Sequence, residues 1–292
     1  MTSGGADPRG DPASERRPRF LDPRELRSEI RAGRWTTTTA DQAPGHAQAN
    51  VVVLPRDLAF DFLVFALRNP KPCPVLEVLE AGDPVPRLSA PEADLRTDVP
   101  AYRIYERGAM VDEVSDIGDR WQDDAVGFLL GCSFTFEEAL VQAGIPMRHH
   151  EVNCTVPMYR TRVPTRPAGI FRGRMVVSMR PIAAGDVSRA VQVTSRFPAV
   201  HGAPVPVGAP EELGIADLDR PDYGDPVPIK EGEVPVFWGC GVTPQSVALE
   251  GKPEWMITHS PGRMFVSDVP NQDLDVLGGS FPDRSGAVHP DL

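Results

Sequence analysis

No run of apolar residues approaches the ~20 that a membrane-spanning helix needs, and the chain does not open with a charged segment followed by an apolar one. Neither a bilayer span nor a secretory signal is expected, and the expected compartment is the cytoplasm. Cysteine is scarce, and the four present (Cys73, Cys132, Cys154 and Cys240) are not closely paired. That fits reduced thiols better than a disulfide framework. There is no CxxC, no HExxH, no GxGxxG after a strand and no GxxxxGK followed by Ser or Thr, so closed zinc sites, nicotinamide binding and phosphate-loop binding all lack their signatures. Basic residues are in deficit, 30 against 41 acidic, for a net charge of −11. This argues against a general nucleic-acid or anionic-membrane surface, and any anion site must be a local basic pocket. No cofactor and no metal are expected, and self-association is left open.

What is present is an ordinary globular composition, 41% hydrophobic and 24% charged, with 32 Pro and 26 Gly that imply many turns. At 292 residues the chain can form two domains or one large α/β domain. Two stretches share a plan: Val126 to Gly144 (VGFLLGCSFTFEEALVQAG) and Val234 to Leu249 (VPVFWGCGVTPQSVAL). Each is an apolar run of strand length that breaks at Gly-Cys and turns into a helix. Thr135 with Glu138 reads as a capping box, and Thr243 as a cap followed by Pro244 at the first helical position. Such turns expose backbone N–H groups and the positive end of a helix dipole, which suit an anionic ligand.

In chain order, residues 1–19 read as a disordered tail. Asp22-Pro23-Arg24-Glu25 opens a short amphipathic helix, Ala49 to Leu54 is a strand, and Asp57 caps a helix apolar nearly all round, expected to be buried. Tyr102 to Glu106 and Met110 to Val114 flank Arg107-Gly108-Ala109 as a hairpin. Residues 152–173 are irregular and arginine-rich. Arg174 to Arg180 (RMVVSMR) alternates as a strand that should stop before Pro181, and Asp186 caps the helix VSRAVQVTSRF. Trp255 to Thr258 and Met264 to Val266 are strands around the turn His259 to Arg263, and from Pro270 the chain reads as loosely ordered. This order suggests a main α/β domain from residues 20–151 with 231–292, holding both Gly-Cys turns, and an inserted α+β domain over 152–230 that faces them across a cleft.

Arginine is the leading carboxylate ligand: Arg160, Arg180, Arg196 and Arg263 lie at strand ends or turns, where a guanidinium can grip a carboxylate bidentately. Tyr159, His201 and His259 stand near them in sequence as donors or proton shuttles. Cys132 and Cys240 are either thiolates activated at helix N-termini or small apolar fillers, and the filler reading leads. Ser133, Gly241 and Thr243 in the turns would add substrate-binding donors. His149-His150-Glu151 with Cys154 has none of the usual ligand spacings and reads as a solvated polar turn.

The segments NVVVLPRDLAFDFLVFALRNPKPCP, VVSMRPI, RFPAVHGAPV, VFWGCGVTPQ and ITHSPGRMFVSD together resemble the bacterial hydro-lyase family grouped with D-glutamate cyclase. The likeness runs from about Leu26 to about Asp268. It implies a carbon–oxygen lyase acting on a small carboxylate, by analogy D-glutamate, lost water giving 5-oxo-D-proline. It also implies a three-layer αβα main domain with a smaller two-layer α/β part. For that reaction the roles of Arg clamp, oxyanion donors and acid/base would fall to Arg180 or Arg196, the turn amides, and His201 or His259. A non-catalytic carboxylate-binding or regulatory protein would present the same clamp.

Overall fold

The computed structural model describes residues 20–277, so the tail expected over residues 1–19 lies outside the described part. Among the described residues the chain is mixed α/β with two antiparallel sheets. The larger sheet is built on β1 (His46–Pro55), whose interior residues are all buried. It pairs with β5 (Ala125–Gly131) on one side, and on the other with β9 (Trp255–His259) and β10 (Phe265–Pro270) in turn. β2 (Val75–Val78) pairs with β5, and β3 (Tyr102–Glu106) joins β9 to β4 (Ala109–Val114). A strand covered on both faces needs apolar or internally satisfied residues throughout, which is why ANVVVL carries no charge. The β3–β4 hairpin turns at Arg107 and Gly108, both at positive φ.

The smaller sheet has the order β6 (Met158–Pro164), β7 (Arg174–Ala183), β8 (Glu233–Gly239). β7 does not stop at Arg180 as expected, because Pro181 stands opposite Pro235 in the ladder. The two residues without an N–H face each other, and the strand runs on. β8 leads into the second Gly-Cys turn but lies in the smaller sheet beside β7, not with β5 in the larger one where it was expected.

The helices are α1 (Pro23–Arg31), α2 (Arg56–Arg68), α3 (Phe134–Gln142), α4 (Arg148–Glu151), α5 (Val187–Ser195) and α6 (Thr243–Gly251). α1 begins as expected, with Asp22 Oδ1 accepting from the Arg24 N–H at 2.7 Å. The other caps differ. The capping position of α2 is Pro55 rather than Asp57, and α2 buries only Phe62, Phe65 and Ala66 while Phe60 and Leu67 face outward. Thr135 and Glu138 form no capping box; Thr135 Oγ1 accepts from Gln48 N–H, and Glu138 Oε2 from Gly45 N–H and Asn271 Nδ2. Thr243 Oγ1 donates to the Cys240 carbonyl and accepts from Val176 N–H, tying α6 to β7. After β10 the chain continues into an ordered turn, Asn271–Leu274, where loose order was expected. Among the described residues no helix is long and apolar enough to cross a membrane.

The two Gly-Cys turns meet over Asn50 of β1. Asn50 Nδ2 donates to the Gly131 carbonyl at 2.7 Å, and a Cβ on Gly241 would lie 1.9 Å from that same nitrogen. A Cβ on Gly131 would lie 2.0 Å from the Ala199 carbonyl oxygen. Backbone cannot yield as a side chain can, so Gly131→Ala should destabilise the protein by at least about 1–3 kcal/mol. Gly185→Ala, with nothing within 4 Å of its Cβ, should stay within about 0.5 kcal/mol of the parent. Urea unfolding midpoints of the two variants check this.

Candidate functional site

Two connected features lie where the sheets meet. The first is a buried polar cluster around Arg180. Its side chain, on the middle strand of the smaller sheet, is fully buried, a costly place for a charge unless it is paired and hydrogen-bonded. The pairing comes from α3 across the seam. Arg180 Nε donates to Glu137 Oε1 at 2.9 Å and Nη2 also bonds that oxygen, while Nη2 donates to Ser133 Oγ at 2.8 Å and Nη1 to Ser178 Oγ at 2.9 Å. The guanidinium carbon also sits 5.3 Å from the ring centres of Phe136 and Trp238, an arrangement that favours a cation over apolar packing.

Glu137 is buried and also receives His149 and His150, with Nε2 to Oε2 separations of 3.2 and 3.0 Å. Burial works against its charge, but the charges of His149 and Arg180 and the two imidazole hydrogen bonds outweigh it and hold the carboxyl well below the usual range. His149 is pushed down, chiefly by burial. His150 is partly exposed; burial is outweighed there by the hydrogen bond and charge of Glu137 and by the charge of Asp41, and its pKa is raised.

The second feature is a cleft of about 590 Å³. Thr37, Thr38, Arg103, Pro261 and Arg263 line it from the side of the larger sheet, and Asn153, Cys154, Thr155, Asp222, Tyr223, Gly224 and Asp225 from the other. The Asp222 and Tyr223 N–H groups hang on the Met158 carbonyl of β6. Arg103 Nε and Arg263 Nη1 bond opposite oxygens of one carboxylate, Glu113, each at 3.0 Å. Two guanidiniums on one carboxylate leave a surplus positive charge on that wall. Asp222 and Asp225 face it and use their Oδ2 atoms to accept the Arg160 and Thr155 N–H groups. Burial raises the pKa of the Tyr223 phenol, so it keeps its proton at neutral pH and can donate a hydrogen bond. Tyr223 packs against the cluster of Cys132, Phe134, Cys240 and Met264, and Phe134 stacks on His149 at 6.4 Å, which joins cleft to cluster.

With this geometry in place, comparison with known proteins gives a consistent result. The profile of the D-glutamate cyclase family matches residues 126–268. A protein of Thermoanaerobacter sp. (strain X514) named "Putative hydro-lyase" is 62% identical over 254 residues, 87% of this chain and 96% of its own. Relatives with the same designation in Geobacillus kaustophilus and Bacillus subtilis are 60% and 57% identical, each over 87% of this chain and 97% and 99% of theirs. This chain belongs to the hydro-lyase family that includes D-glutamate cyclase. It is thus a carbon–oxygen lyase. A solved nitrogen repressor-like protein from Methanococcus jannaschii aligns with TM-score 0.35 and 11% identity over 81% of this chain and 92% of that one.

In this lyase the residues expected from sequence fall into three groups. Arg263 lines the cleft. Arg180, Ser133, Cys132, Cys240, Gly241 and Thr243 lie at the seam, but Arg180 is held by Glu137 rather than open to a substrate, correcting the clamp reading. Burial pushes the Cys132 thiol up and Cys240 to about 11, so neither is an activated thiolate, and the filler role fits both. The rest are engaged with other partners: Arg196 pairs with Asp275, Arg160 lies 3.8 Å from Glu250, and Tyr159 Oη donates to the Leu218 carbonyl. His201 is buried with Nδ1 2.7 Å from the Lys71 carbonyl. His259 is buried with Nδ1 3.1 Å from the Val51 nitrogen, and its Nε2 has no partner among the described residues. Sequence reading missed Glu137, Arg103 and Tyr223, and it set aside His149 and His150. The one available signal was a glutamate inside an apolar helix, Glu137, where a charge must be either exposed or paired.

Burial lowers His201 and His259 to about 4, against about 6.5 in the unfolded chain. Groups depressed in this way bind protons first when unfolded, so the stability they confer is complete above about pH 6.5 and is lost as the pH falls toward 4. Each should contribute up to about 1.4 kcal/mol per pH unit within that window, and His201→Gln should flatten the fall. Denaturant midpoints from pH 7.5 to 4.5 measure it. Arg180→Lys should lower the melting temperature, because an ammonium cannot hold Glu137, Ser133 and Ser178 together; the cost expected is about 1–3 kcal/mol.

Proposed function

We propose that this lyase acts on an amino acid with a distal carboxylate, D-glutamate first among them, and closes it to 5-oxo-D-proline with loss of water. The observation that carries the reading is the pair of opposed walls of the cleft. Arg103 and Arg263 stand on one side with surplus positive charge, and Asp222 and Asp225 on the other. A ligand with carboxylate and ammonium at separate points satisfies both, whereas a simple dicarboxylate satisfies one. The guanidiniums take a carboxylate bidentately and the aspartates orient the amine.

Cyclisation forms a C–N bond between the amine and the distal carboxyl carbon and breaks a C–O bond there. The amine loses protons and the departing oxygen gains them, leaving as water. Holding the extended substrate folded is the largest part of the task, and two charged walls across a cleft of this size supply it. Tyr223, which lines the cleft and keeps its proton at neutral pH, would donate a hydrogen bond to the oxygen that takes on negative charge. The same reading takes the two sheets as the cores of two units, a three-layer αβα part and a smaller inserted two-layer part, with the second boundary moved from residue 230 to beyond Gly239 because β8 pairs with β7.

The test is incubation with D-glutamate, L-glutamate and glutarate, with 5-oxoproline measured by chiral chromatography and binding by calorimetry. Formation of 5-oxo-D-proline from D-glutamate, with glutarate bound more weakly for want of an amine, is the expected result. Arg263→Lys and Arg103→Lys should each reduce kcat/KM about ten- to hundredfold, the loss of a charge-assisted bond of about 1.5–3 kcal/mol. Tight binding without turnover would identify a carboxylate-binding protein instead, and unchanged kcat/KM in both variants at unchanged melting temperature would remove this cleft from the site.

A further inference from the structure

His149 and His150 are neighbours in the sequence, and successive side chains on a helix point about 100° apart, so a common target for both is not legible from the chain. In the short helix α4 the two rings nevertheless converge. Their centroids lie 4.4 Å apart at 67°, and both Nε2 atoms turn to the Glu137 carboxylate on α3, at 3.2 and 3.0 Å. One ligand atom from each of the three residues falls within 4.8 Å of the others.

We propose that Glu137, His149 and His150 bind one divalent first-row transition ion of the Zn2+ type. Two neutral imidazoles and one carboxylate are a donor set that such ions favour. Ligands about 2.0–2.1 Å from a tetrahedral ion lie about 3.3 Å from each other; each imidazole already stands 3.0 to 3.2 Å from the carboxylate, and the three ligand atoms lie within 4.8 Å of one another, so binding an ion asks the two imidazoles to turn toward a shared point. The glutamate is already oriented: Arg180 Nε holds Oε1 at 2.9 Å, and Oε2 faces both histidines, with His149 Nε2 3.2 Å from Oε1 as well. Hydrogen-bonded partners of this kind orient ligating carboxylates. Glu137 and His149 are buried, whereas the His150 side chain is 24% exposed, so the cluster is reached from solvent on the His150 side. The Arg180 charge opposes an added cation, and Asp41, whose charge acts on His150, opposes it in turn. The proposal stands apart from the identity of the substrate.

The experiment uses the full chain, untagged and freed of metal with chelator, titrated with Zn2+ by calorimetry and with Co2+ by visible absorption. One equivalent of each ion per chain is expected, with a cobalt band typical of low coordination number and a rise in melting temperature with Zn2+. His150→Gln keeps a side-chain amide that can donate to Glu137, and should weaken binding at least about tenfold and abolish the cobalt band while remaining folded. His149→Gln should do the same; should it fail to fold, His150→Gln decides alone. Absence of stoichiometric binding, or equal affinity in the parent and His150→Gln, overturns the proposal, and the three side chains are then a hydrogen-bonded network only.

Discussion

Arg180 has no exposed surface, and a guanidinium so placed stands only because Glu137 neutralises it and two serine hydroxyls share the remaining work. Arg180 belongs to the smaller sheet, whereas Glu137 and Ser133 belong to the turn and helix that follow β5 of the larger one. The pair is therefore a tie between the two sheets as well as a local contact. Removing one partner of such a pair leaves a buried charge without compensation, at a cost of about 3–5 kcal/mol, while an apolar pair of the same volume would hold the seam as well or better. The neighbouring imidazoles give the carboxylate a second set of partners.

The close approach of the two Gly-Cys turns depends on the same seam. Gly131 admits the Ala199 carbonyl and Gly241 admits the Asn50 amide, at distances no Cβ would tolerate. Cys132 and Cys240 follow those glycines into a shared apolar cluster with Phe134 and Met264. Burial there makes the thiols poor nucleophiles and good packing atoms. Phe134, on the other side of the cluster, carries the packing across to His149. The buried polar cluster and the open cleft are thus separated by one layer of side chains.

Charge in the cleft is divided between its walls rather than reversed as a whole. The protein carries a net charge of −11, and Arg103 and Arg263, which share Glu113, set one wall apart from Asp222 and Asp225 on the other. Ion pairs exposed in this way contribute little to stability, so the arrangement is not explained by what it adds to the fold.

Local pattern alone is enough to specify several segments. Asp22-Pro23 starts α1, the run ANVVVL is a strand buried on both faces, Arg107-Gly108 turns a hairpin, and both Gly-Cys stretches run strand, turn, helix. It also determined family membership, through long motifs in a fixed order. Tertiary structure decided what depends on partners distant along the chain. β8 joined the smaller sheet because its residues pair with β7, and β7 passed through Pro181 because Pro235 lies opposite. Arg180, expected to open onto a ligand, met Glu137 43 positions away, and His149 and His150, which read as a solvated turn, met the same carboxylate. Apolar periodicity and turn chemistry are properties of neighbours in sequence and can be read from it. Which buried charge finds which counter-charge is set by how the sheets pack, and no local pattern encodes it.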